Sequence, residues 1–313
     1  MRRIAILMLG GGKRVSLARR FKAAAKQREV ALSLYAYEID EQQPISLEAT
    51  VLVGKRWSEA DVQQDILDVT AEHAVDLILS HVDPATQVHA QLRDRHPAAS
   101  FSSDIGSTEI CASKRRTHEF CQASGIRSIP LAEPGVFPMF GKPDRGSASA
   151  GVQALHDEAE LESYLAAHRD VIVQRFVDGH EYTVDAYVSR AGQILGISPR
   201  IRLATIGGES VVTETVSHPV IEQQSRDIID RLGLRGPLTL QFIADRDSEV
   251  SYLMEVNPRF GGGVIASIEA GFDYPGMMLD ELLGDPVEPV SSGRRLIMKR
   301  YFSEAFYAAG GRP

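Results

Sequence analysis

The sequence has few cysteines, and the two that it has are poorly placed for a structural role. Cys111 and Cys121 stand in a chain of 313 residues and do not form a Cys-x-x-Cys pair. Zinc sites and disulfide scaffolds need more cysteines at closer or repeated spacings. The cysteine content therefore argues against both classes and predicts a reducing, cytoplasmic location.

The chain also lacks an excess of positive charge. Its 34 Lys and Arg residues are outnumbered by 42 Asp and Glu residues, and the net charge is −8. Nucleic acids and anionic membrane surfaces attract proteins that carry clusters of basic residues. We therefore expect neither as a partner. A small anionic ligand remains compatible, because it needs only a local positive site.

Long apolar runs are absent as well. The N-terminal run Ile4–Leu9 is too short for the core and cleavage site of a signal peptide, and Lys13 and Arg14 follow it closely. No window approaches the roughly 20 apolar residues of a membrane-spanning helix. The sequence predicts neither a signal peptide nor a membrane span.

What the chain does contain is a strand–glycine–helix–strand order at its start. Arg3–Leu9 is apolar and ends at Gly10-Gly11-Gly12, Val15–Lys26 has apolar residues at helical spacing, and Ala31–Tyr37 predicts a second strand. This order indicates a doubly wound α/β domain. The glycine run lacks the Gly-x-Gly-x-x-Gly spacing, so a tight turn is favoured over a dinucleotide site.

Five further elements are predicted from the same kinds of pattern. They are a helix over Ser58–His73 with Ser58 as N-cap, a strand over Asp76–Ser80, a strand over Ala98–Ser102, a helix over Thr108–Gly125 and a last strand over Leu296–Phe302. Ligands of open parallel sheets bind outside the carboxyl ends of the strands. His81 and Asp83 follow such an end and are candidate substrate contacts, with an ordinary loop hydrogen-bonding role as the alternative.

Two lysines and a loop of small residues indicate a phosphate site. Lys114 lies on the helix predicted over Thr108–Gly125, and Lys142 ends a short apolar strand. The loop that follows includes Gly146, Ser147, Ser149 and Gly151. Such a loop can lay N–H groups and hydroxyls over phosphates while a lysine neutralises charge. It lacks the ending of a P-loop, so a flexible hairpin turn is the alternative.

Two strands near the C-terminus can place oxygen ligands on one face. Glu255, Asn257 and Arg259 occupy alternate positions, and Gln241 lies in the preceding predicted strand. A hairpin between the strands would bring Gln241, Glu255 and Asn257 together. Magnesium prefers such oxygen ligands, and an arginine can clamp phosphate oxygens. The next residues can open a helix that receives an anionic substrate; they are Gly261, Gly262 and Gly263.

A further pair of arginines occupies alternate positions of one extended segment. Arg200 and Arg202 share a face there, and Glu209 follows in a loop that begins with Gly207-Gly208. All three are candidate substrate contacts. The alternative is that these charged groups are simply solvated.

Taken together, these motifs resemble the ATP-grasp superfamily over nearly the whole chain. The segment Val173–Val184 is similar to the adenine-and-ribose segment of D-alanine–D-alanine ligases. Gly236–Ile243, followed by Met254–Arg259, is similar to the metal-binding strands of the carbamoyl-phosphate synthase large subunit. The resemblance implies an α/β fold that becomes α+β towards the C-terminus. It implies a doubly wound pre-ATP-grasp domain at 1–111, a central subdomain at 112–179 and a metal-binding subdomain at 180–313.

The resemblance also implies a role for each matching residue. Lys114, Lys142 and the loop bind the phosphates, Gln174 and the backbone near Val177 bind adenine, and Glu181 binds the ribose. Gln241, Glu255 and Asn257 hold Mg²⁺, for which Mn²⁺ is an expected substitute. Arg259 and Lys142 act on the transferring phosphoryl group. Two residues depart from the pattern: Ser113 and Gln174 stand where many relatives carry acids. Gln174 retains an acceptor oxygen for the adenine amino group.

The function that the resemblance implies is an ATP- and Mg²⁺-dependent, ADP-forming ligase. A small-molecule carboxylate (an amino acid or peptide) would be activated as an acyl phosphate and joined to an amine, in a protein for which a homodimer is one option. One alternative is a carbamoyl-phosphate-synthase-like enzyme acting on bicarbonate or carbamate. Others are a non-catalytic ATP-binding regulatory module and a dinucleotide-dependent oxidoreductase.

Overall fold

The computed structural model describes residues 2–146 and 151–308. They form two compact units. The first takes in the described residues of Met1–Ser102, Asp273–Val287 and Lys299–Pro313, and the second comprises Ser103–Phe272 and Glu288–Met298. Within the described ranges, no helix is both long enough and apolar enough to cross a membrane.

A parallel sheet forms the centre of the first unit. Its strands lie in the order β3-β2-β1-β4, with β1 at Arg3–Leu9, β2 at Ala31–Glu38, β3 at Thr50–Val53 and β4 at Leu77–Ser80. The helices, numbered in chain order, are α1 (Val15–Gln27), α2 (Val62–Glu72), α3 (Asp83–Leu92) and α9 (Tyr274–Leu283). After the exposed Arg3, β1 is apolar and buried from Ile4 to Leu9, as is typical of a central parallel strand that is covered on both faces.

The second unit contains two antiparallel sheets. The small sheet has the order β6-β5-β7, with β5 at Met139–Pro143, β6 at Gln153–Leu155 and β7 at Val171–Arg175. The large sheet has the order β12-β11-β8-β9-β10-β13. Its strands are β8 (Gly179–Val188), β9 (Ile194–Ile206), β10 (Glu209–Thr215), β11 (Gly236–Asp245), β12 (Ser251–Asn257) and β13 (Ile297–Lys299).

The helices of the second unit cover part of these sheets. They are α4 (Ile105–Ala112), α5 (Lys114–Ser124), α6 (Glu158–Ala167), α7 (Pro219–Leu232) and α8 (Val264–Ala270). Leu238, Leu240 and Phe242 of β11 are fully buried in one core with Ile228 and Ile229 of α7. Because side chains alternate along a strand, Thr239 and Gln241 lie on the opposite face of the large sheet. One face is therefore apolar and packed, while the other carries polar groups.

Four of the predicted elements are corrected by the structure. The strand predicted over Ala98–Ser102 is wrong, because Pro97–Ala99 form a 3₁₀ turn. The His96 ring accepts from Ala98 N, so that N–H is not free for a sheet ladder, and Pro97 suits the first position of the turn. The helix predicted from Ser58 begins only at Val62, so Ser58 is not its N-cap. The last strand stops at Lys299, and Tyr301 and Phe302 are exposed.

The helix predicted over Thr108–Gly125 is two helices. Ser113 is extended between them, with φ of −117° and ψ of 121°, and its hydroxyl accepts from the backbone N–H of Arg116 at 3.1 Å. A serine side chain satisfies the free N–H groups at a helix start, so it favours a new N-terminus over continuation of the first helix. The predicted C-terminal signal is confirmed, because Gly125 has the left-handed conformation that ends α5.

Candidate functional site

Cross-strand register brings the three predicted metal ligands together. Gln241 of β11 lies directly opposite Glu255 of β12, and Asn257 lies opposite Thr239. A bulge follows, because Phe242 pairs with Leu253 and Met254 is left as the extra residue. Three oxygen-bearing side chains consequently converge on the polar face of the large sheet.

Hydrogen bonds connect these side chains to Arg259. Asn257 Nδ2 donates to Glu255 Oε1 at 3.0 Å, and Arg259 Nη2 donates to Asn257 Oδ1 at 3.3 Å. Each accepting oxygen has more than one lone pair, so these bonds leave acceptor capacity for a cation. The described residues contain no cluster of three or more His, Cys, Asp or Glu side chains suited to a metal. The three oxygen-bearing side chains are not such a cluster, because Gln241 and Asn257 are amides.

Lys142 lies near this group. It is 5% exposed and belongs to β5 of the small sheet. Burial lowers the pKa of its ammonium group to about 8, the nearby Glu255 carboxylate opposes that shift, and Lys114 adds to it. A bound anion would stabilise the charged form of this buried lysine, which has a carboxylate and a second lysine as neighbours.

Lys114 is the first residue of α5 and faces the start of the small-residue loop. Its Nζ donates to Gly146 O at 3.1 Å and to Asp144 O at 3.4 Å. Asp144 Oδ1 in turn accepts from the hydroxyl of Ser113 at 3.0 Å and from the N–H of Arg115 at 2.7 Å. The loop and the helix start are thus fastened to each other. Gly146 and Gly151 have φ of +110° and +71°, and the predicted Ser147 and Ser149 lie outside the described residues.

The predicted adenine residues line a small apolar wall. Gln174 is buried in β7, where its Nε2 donates to Ile129 O at 3.1 Å. Only the nitrogen of the amide can face that carbonyl, so Oε1 is left as an acceptor, and within the described residues it has no hydrogen-bond partner. Ile129, whose carbonyl accepts that bond, also belongs to an apolar cluster with Val177 and Ile243. An acceptor next to an apolar surface suits a planar base that carries an amino group.

Arg202 contacts both Glu181, the predicted ribose ligand, and Gln241, a predicted metal ligand. Its Nη1 lies 2.8 Å from Glu181 Oε2 and donates to Gln241 Oε1 at 3.2 Å, while Nη2 donates to Gly208 O at 2.7 Å. The side chain of Arg202 is 10% exposed, whereas that of Glu181 is 41% exposed. The sequence predicts the face on which Arg202 lies, but it does not predict these partners.

Arg200 forms a buried ion pair that the sequence analysis misses. Its Nε donates to Asp185 Oδ2 at 2.9 Å, with side-chain exposures of 3% and 0%, and its Nη1 donates to Ser210 Oγ. The hydroxyl of Ser267 donates to the same carboxylate oxygen at 2.8 Å. The available signal was the acid at position 185, on the face of β8 opposite its apolar residues.

The glycines after β12 make room for this ion pair. A Cβ at Gly263 would lie 2.5 Å from Arg200 Cζ, so a side chain there would displace the guanidinium. Gly261 N donates to Thr239 Oγ1 at 2.7 Å, so that N–H is already engaged. α8 begins at Val264 and has only seven residues. A substrate role for Gly261, Gly262 and Gly263 stays a prediction.

Three further candidates are His81, Asp83 and Glu209. His81 and Asp83 belong to the first unit, where His81 is buried at the end of β4 and Asp83 begins α3. Glu209 is exposed at the start of β10. Substrate roles for these three residues also stay predictions.

The glycine loop of the first unit engages a carboxylate of its own chain. Glu38 ends β2, where burial raises the pKa of its carboxyl to about 7 even though hydrogen bonds from the N–H groups of Gly12 and Gly11 lower it. A dinucleotide would need those N–H groups for its pyrophosphate. Their use by Glu38 weighs against the oxidoreductase alternative.

Comparisons with known proteins agree with this geometry. Residues 167–301 match a family model described as "ATP-grasp in the biosynthetic pathway with Ter operon". The chain is 25% identical over 269 residues to the N-terminal section of the carbamoyl phosphate synthase large chain from Methanopyrus kandleri, covering 78% of this chain and 46% of that protein. It spans less than half the length of the first curated relatives that it matches.

Solved structures show the same fold at low sequence identity. The L-amino acid ligase from Bacillus licheniformis superposes with a TM-score of 0.70 and 17% identity, covering 90% of this chain and 74% of that one. N5-carboxyaminoimidazole synthetase from Staphylococcus aureus, complexed with ADP, gives 0.76 and 13%, covering 95% and 82%. The chain therefore has a mixed α/β ATP-grasp fold, and the resemblance to the ATP-grasp superfamily that its sequence predicts is confirmed.

Proposed function

We propose that this protein is an ATP- and Mg²⁺-dependent ligase that joins a carboxylate to an amine with release of ADP and phosphate. The observation that carries the proposal is the convergence of Gln241, Glu255 and Asn257 beside Arg259 and the buried Lys142. An oxygen-rich cation site with two neighbouring positive side chains suits a nucleotide triphosphate bound through a metal.

The residues present fit ATP and Mg²⁺. The acceptor oxygen of Gln174 and the apolar wall around Val177 suit the adenine amino group and ring. Glu181 would accept from ribose hydroxyls, and Lys114 and Lys142 would offset phosphate charge. Gln241, Glu255 and Asn257 would hold Mg²⁺ or, as a substitute, Mn²⁺. A bound Mg²⁺ neutralises phosphate oxygens and orients them for transfer.

In the proposed reaction a carboxylate oxygen of the substrate attacks the γ-phosphorus, and the bond to the β-phosphate oxygen breaks, which gives an acyl phosphate and ADP. A neutral amine then attacks the acyl carbon, phosphate leaves with the bonding electrons, and the amine proton passes to solvent or phosphate. Arg259 and Lys142 stabilise the charge that develops on the transferring group. The protein's contribution is mainly positioning and charge neutralisation.

The test is a panel of amino acids, other carboxylates and amines, assayed for ADP and phosphate release with ATP and Mg²⁺. We expect release only when both a carboxylate and an amine are present, with a condensed product detected by mass spectrometry. Glu255→Ala should abolish release, whereas Glu249→Ala, which alters an exposed turn residue, should not. Full turnover by Glu255→Ala would refute the proposed site.

A second candidate function is favoured by the similarity to carbamoyl phosphate synthase large chains. In that case the protein would phosphorylate bicarbonate or carbamate. Bicarbonate-dependent ADP release without any other carboxylate would support it. A non-catalytic ATP-binding module would instead bind ATP and release no ADP with any member of the panel.

We also propose that the chain is organised as a pre-ATP-grasp domain (1–111), a central subdomain (112–179) and a metal-binding subdomain (180–313). The succession of three sheets along the chain supports this division: the parallel sheet β1–β4, the small sheet β5–β7 and the large sheet β8–β13. The compact units divide the chain differently, because residues 273–287 and the described residues of 299–313 belong to the first unit. A cytoplasmic location and a homodimer are part of the same proposal, and sedimentation at several concentrations would test the assembly.

A further inference from the structure

Gln241 presents a problem that a carboxylate ligand would not. The end of its side chain carries an oxygen and a nitrogen of similar size, and only the oxygen can ligate a hard cation. A half-turn about the last side-chain bond would present the NH₂ group to the metal instead. A neutral glutamine therefore needs a neighbour that selects one of its two orientations.

Arg202 supplies that selection. Its Nη1 donates to Gln241 at 3.2 Å, and because a guanidinium only donates, the accepting atom must be Oε1. The guanidinium is itself held on two other sides, by Glu181 Oε2 at 2.8 Å and by Gly208 O at 2.7 Å. Gly207 and Gly208 both have positive φ, of 54° and 75°, as the tight two-residue turn between β9 and β10 requires. The contacts with Glu181 and Gly208 therefore hold the guanidinium of Arg202 in place independently of Gln241.

The charges are compatible with a cation at Gln241. A guanidinium alone would repel Mg²⁺, but the Glu181 carboxylate is closer to Arg202 Nη1 than Gln241 is and offsets the positive charge. A carbonyl oxygen has two lone pairs, so Oε1 can accept from Arg202 and face a metal at once. Partners in the outer shell commonly orient metal ligands in this way.

We propose that Arg202 is a positioning residue that fixes the amide of Gln241 with its oxygen towards the metal. This inference rests on the proposed function, in which Gln241 is a metal ligand. It differs from a placeholder role, in which Arg202 occupies the cation site and must leave before the metal binds. The two roles predict opposite effects of removing Arg202 on metal affinity.

The experiment measures Mn²⁺ binding in the presence of ADP through the electron paramagnetic resonance signal of free Mn²⁺. Four proteins form a cycle: wild type, Arg202→Ala, Gln241→Glu and the double variant. We expect Arg202→Ala to weaken Mn²⁺ binding about 10-fold or more, the usual effect of losing an outer-shell partner. Both ends of a glutamate are oxygens, so in the Gln241→Glu background the same change should weaken binding by less than about threefold.

Controls separate this role from a general loss of structure. Arg294→Ala removes another arginine of the second unit that pairs with a glutamate, Glu269, and should leave Mn²⁺ affinity unchanged. The thermal unfolding of each metal-free protein should show that the variants are folded. If Arg202→Ala does not fold, Arg202→Met keeps much of the aliphatic stem and takes its place in the cycle.

Unchanged or tighter Mn²⁺ binding by Arg202→Ala would overturn the inference, and tighter binding would indicate the placeholder role. An equal loss in both backgrounds would also overturn it, because the orientation of an amide cannot matter for a glutamate. No Mn²⁺ binding by the wild-type protein with ADP would overturn the proposed function and this inference with it. Wild-type binding with an unaffected Arg202→Ala variant would overturn the inference alone.

Discussion

Lys142 shows how a single buried side chain would tie the proposed nucleotide binding to pH. Burial in β5 lowers its pKa to about 8, so this lysine loses its proton near pH 8 instead of near its usual value of about 10.4. The charged form is the one that attracts phosphate, and the neutral form prevails above the lowered pKa. The charge that the candidate site offers to a nucleotide therefore falls in the mildly alkaline range.

We predict that ADP binding is nearly constant between pH 7 and 7.5 and weakens above pH 8, by up to about tenfold per pH unit where only the charged form binds. Isothermal titration across this range measures the effect. Lys22→Met removes a half-exposed lysine of the first unit and should keep the wild-type profile. An affinity that stays flat to pH 9.5 would contradict the role given to Lys142.

The ion pair of Asp185 and Arg200 gives a prediction about stability. Asp185→Asn would leave a guanidinium that is 3% exposed without its carboxylate, and such uncompensated buried charges cost about 3–5 kcal/mol. Urea unfolding should show a loss of this size in the free energy of unfolding. The matched control is Asp178→Asn, which breaks the exposed pair with Arg246 and should cost at most about 1 kcal/mol. Equal losses in the two variants would contradict the account.

At this scale the sequence predicts residues better than it predicts their partners. Glu255, Asn257 and Gln241 could be found because strand alternation and a hairpin are local patterns. The contacts of Arg202 and Asp185 depend on how β8, β9 and β11 are aligned. That alignment includes a bulge between β8 and β9 at Tyr187/Val188, which one sequence does not specify.

At the scale of elements, the start of α5 matters most for the phosphate side of the candidate site. Ser113 caps this helix, and its hydroxyl also donates to Asp144, which precedes the small-residue loop. The break between α4 and α5 places Lys114 at a helix start, where its Nζ reaches the carbonyl of Gly146. A continuous helix over Thr108–Gly125 would not provide this capping arrangement.

We predict that Ser113→Ala lowers the free energy of unfolding by about 1 kcal/mol, which is the usual cost of losing an N-cap. We also expect weaker ADP binding, because the helix start that carries Lys114 would be held less firmly to the loop. Denaturant unfolding and titration calorimetry measure the two effects. The control is Ser58→Ala, since Ser58 is exposed and lies outside α2, which begins at Val62. A Ser113→Ala protein as stable as Ser58→Ala would contradict the cap assignment.

Element boundaries were the least predictable part of the fold, for identifiable reasons. The Ser113 hydroxyl accepts from Arg116 N and favours a new helix start, and the His96 ring accepts from Ala98 N and favours a turn over a strand. The long alternating and helical patterns were sufficient for β1, α1, β11 and β12, because burial of a whole face outweighs any single residue there.

At the scale of the whole molecule, the chain combines a unit built on a parallel sheet with a unit that carries the candidate nucleotide and metal residues. In the first unit Glu38 engages the glycine loop, which leaves the second unit as the better place for phosphate chemistry. The similarity to ligases of the ATP-grasp fold agrees with this division. The panel of substrates is designed to identify the carboxylate and the amine of the proposed reaction.

The central claim is that a substrate carboxylate takes a phosphoryl group from ATP. The most direct test uses an active carboxylate from the panel, labelled with ¹⁸O in both carboxyl oxygens, and analyses the released phosphate by mass spectrometry. Transfer through an acyl phosphate leaves one ¹⁸O atom in each phosphate, because the amine displaces phosphate together with that carboxyl oxygen. The account predicts this singly labelled phosphate, and unlabelled phosphate formed together with ADP would contradict it.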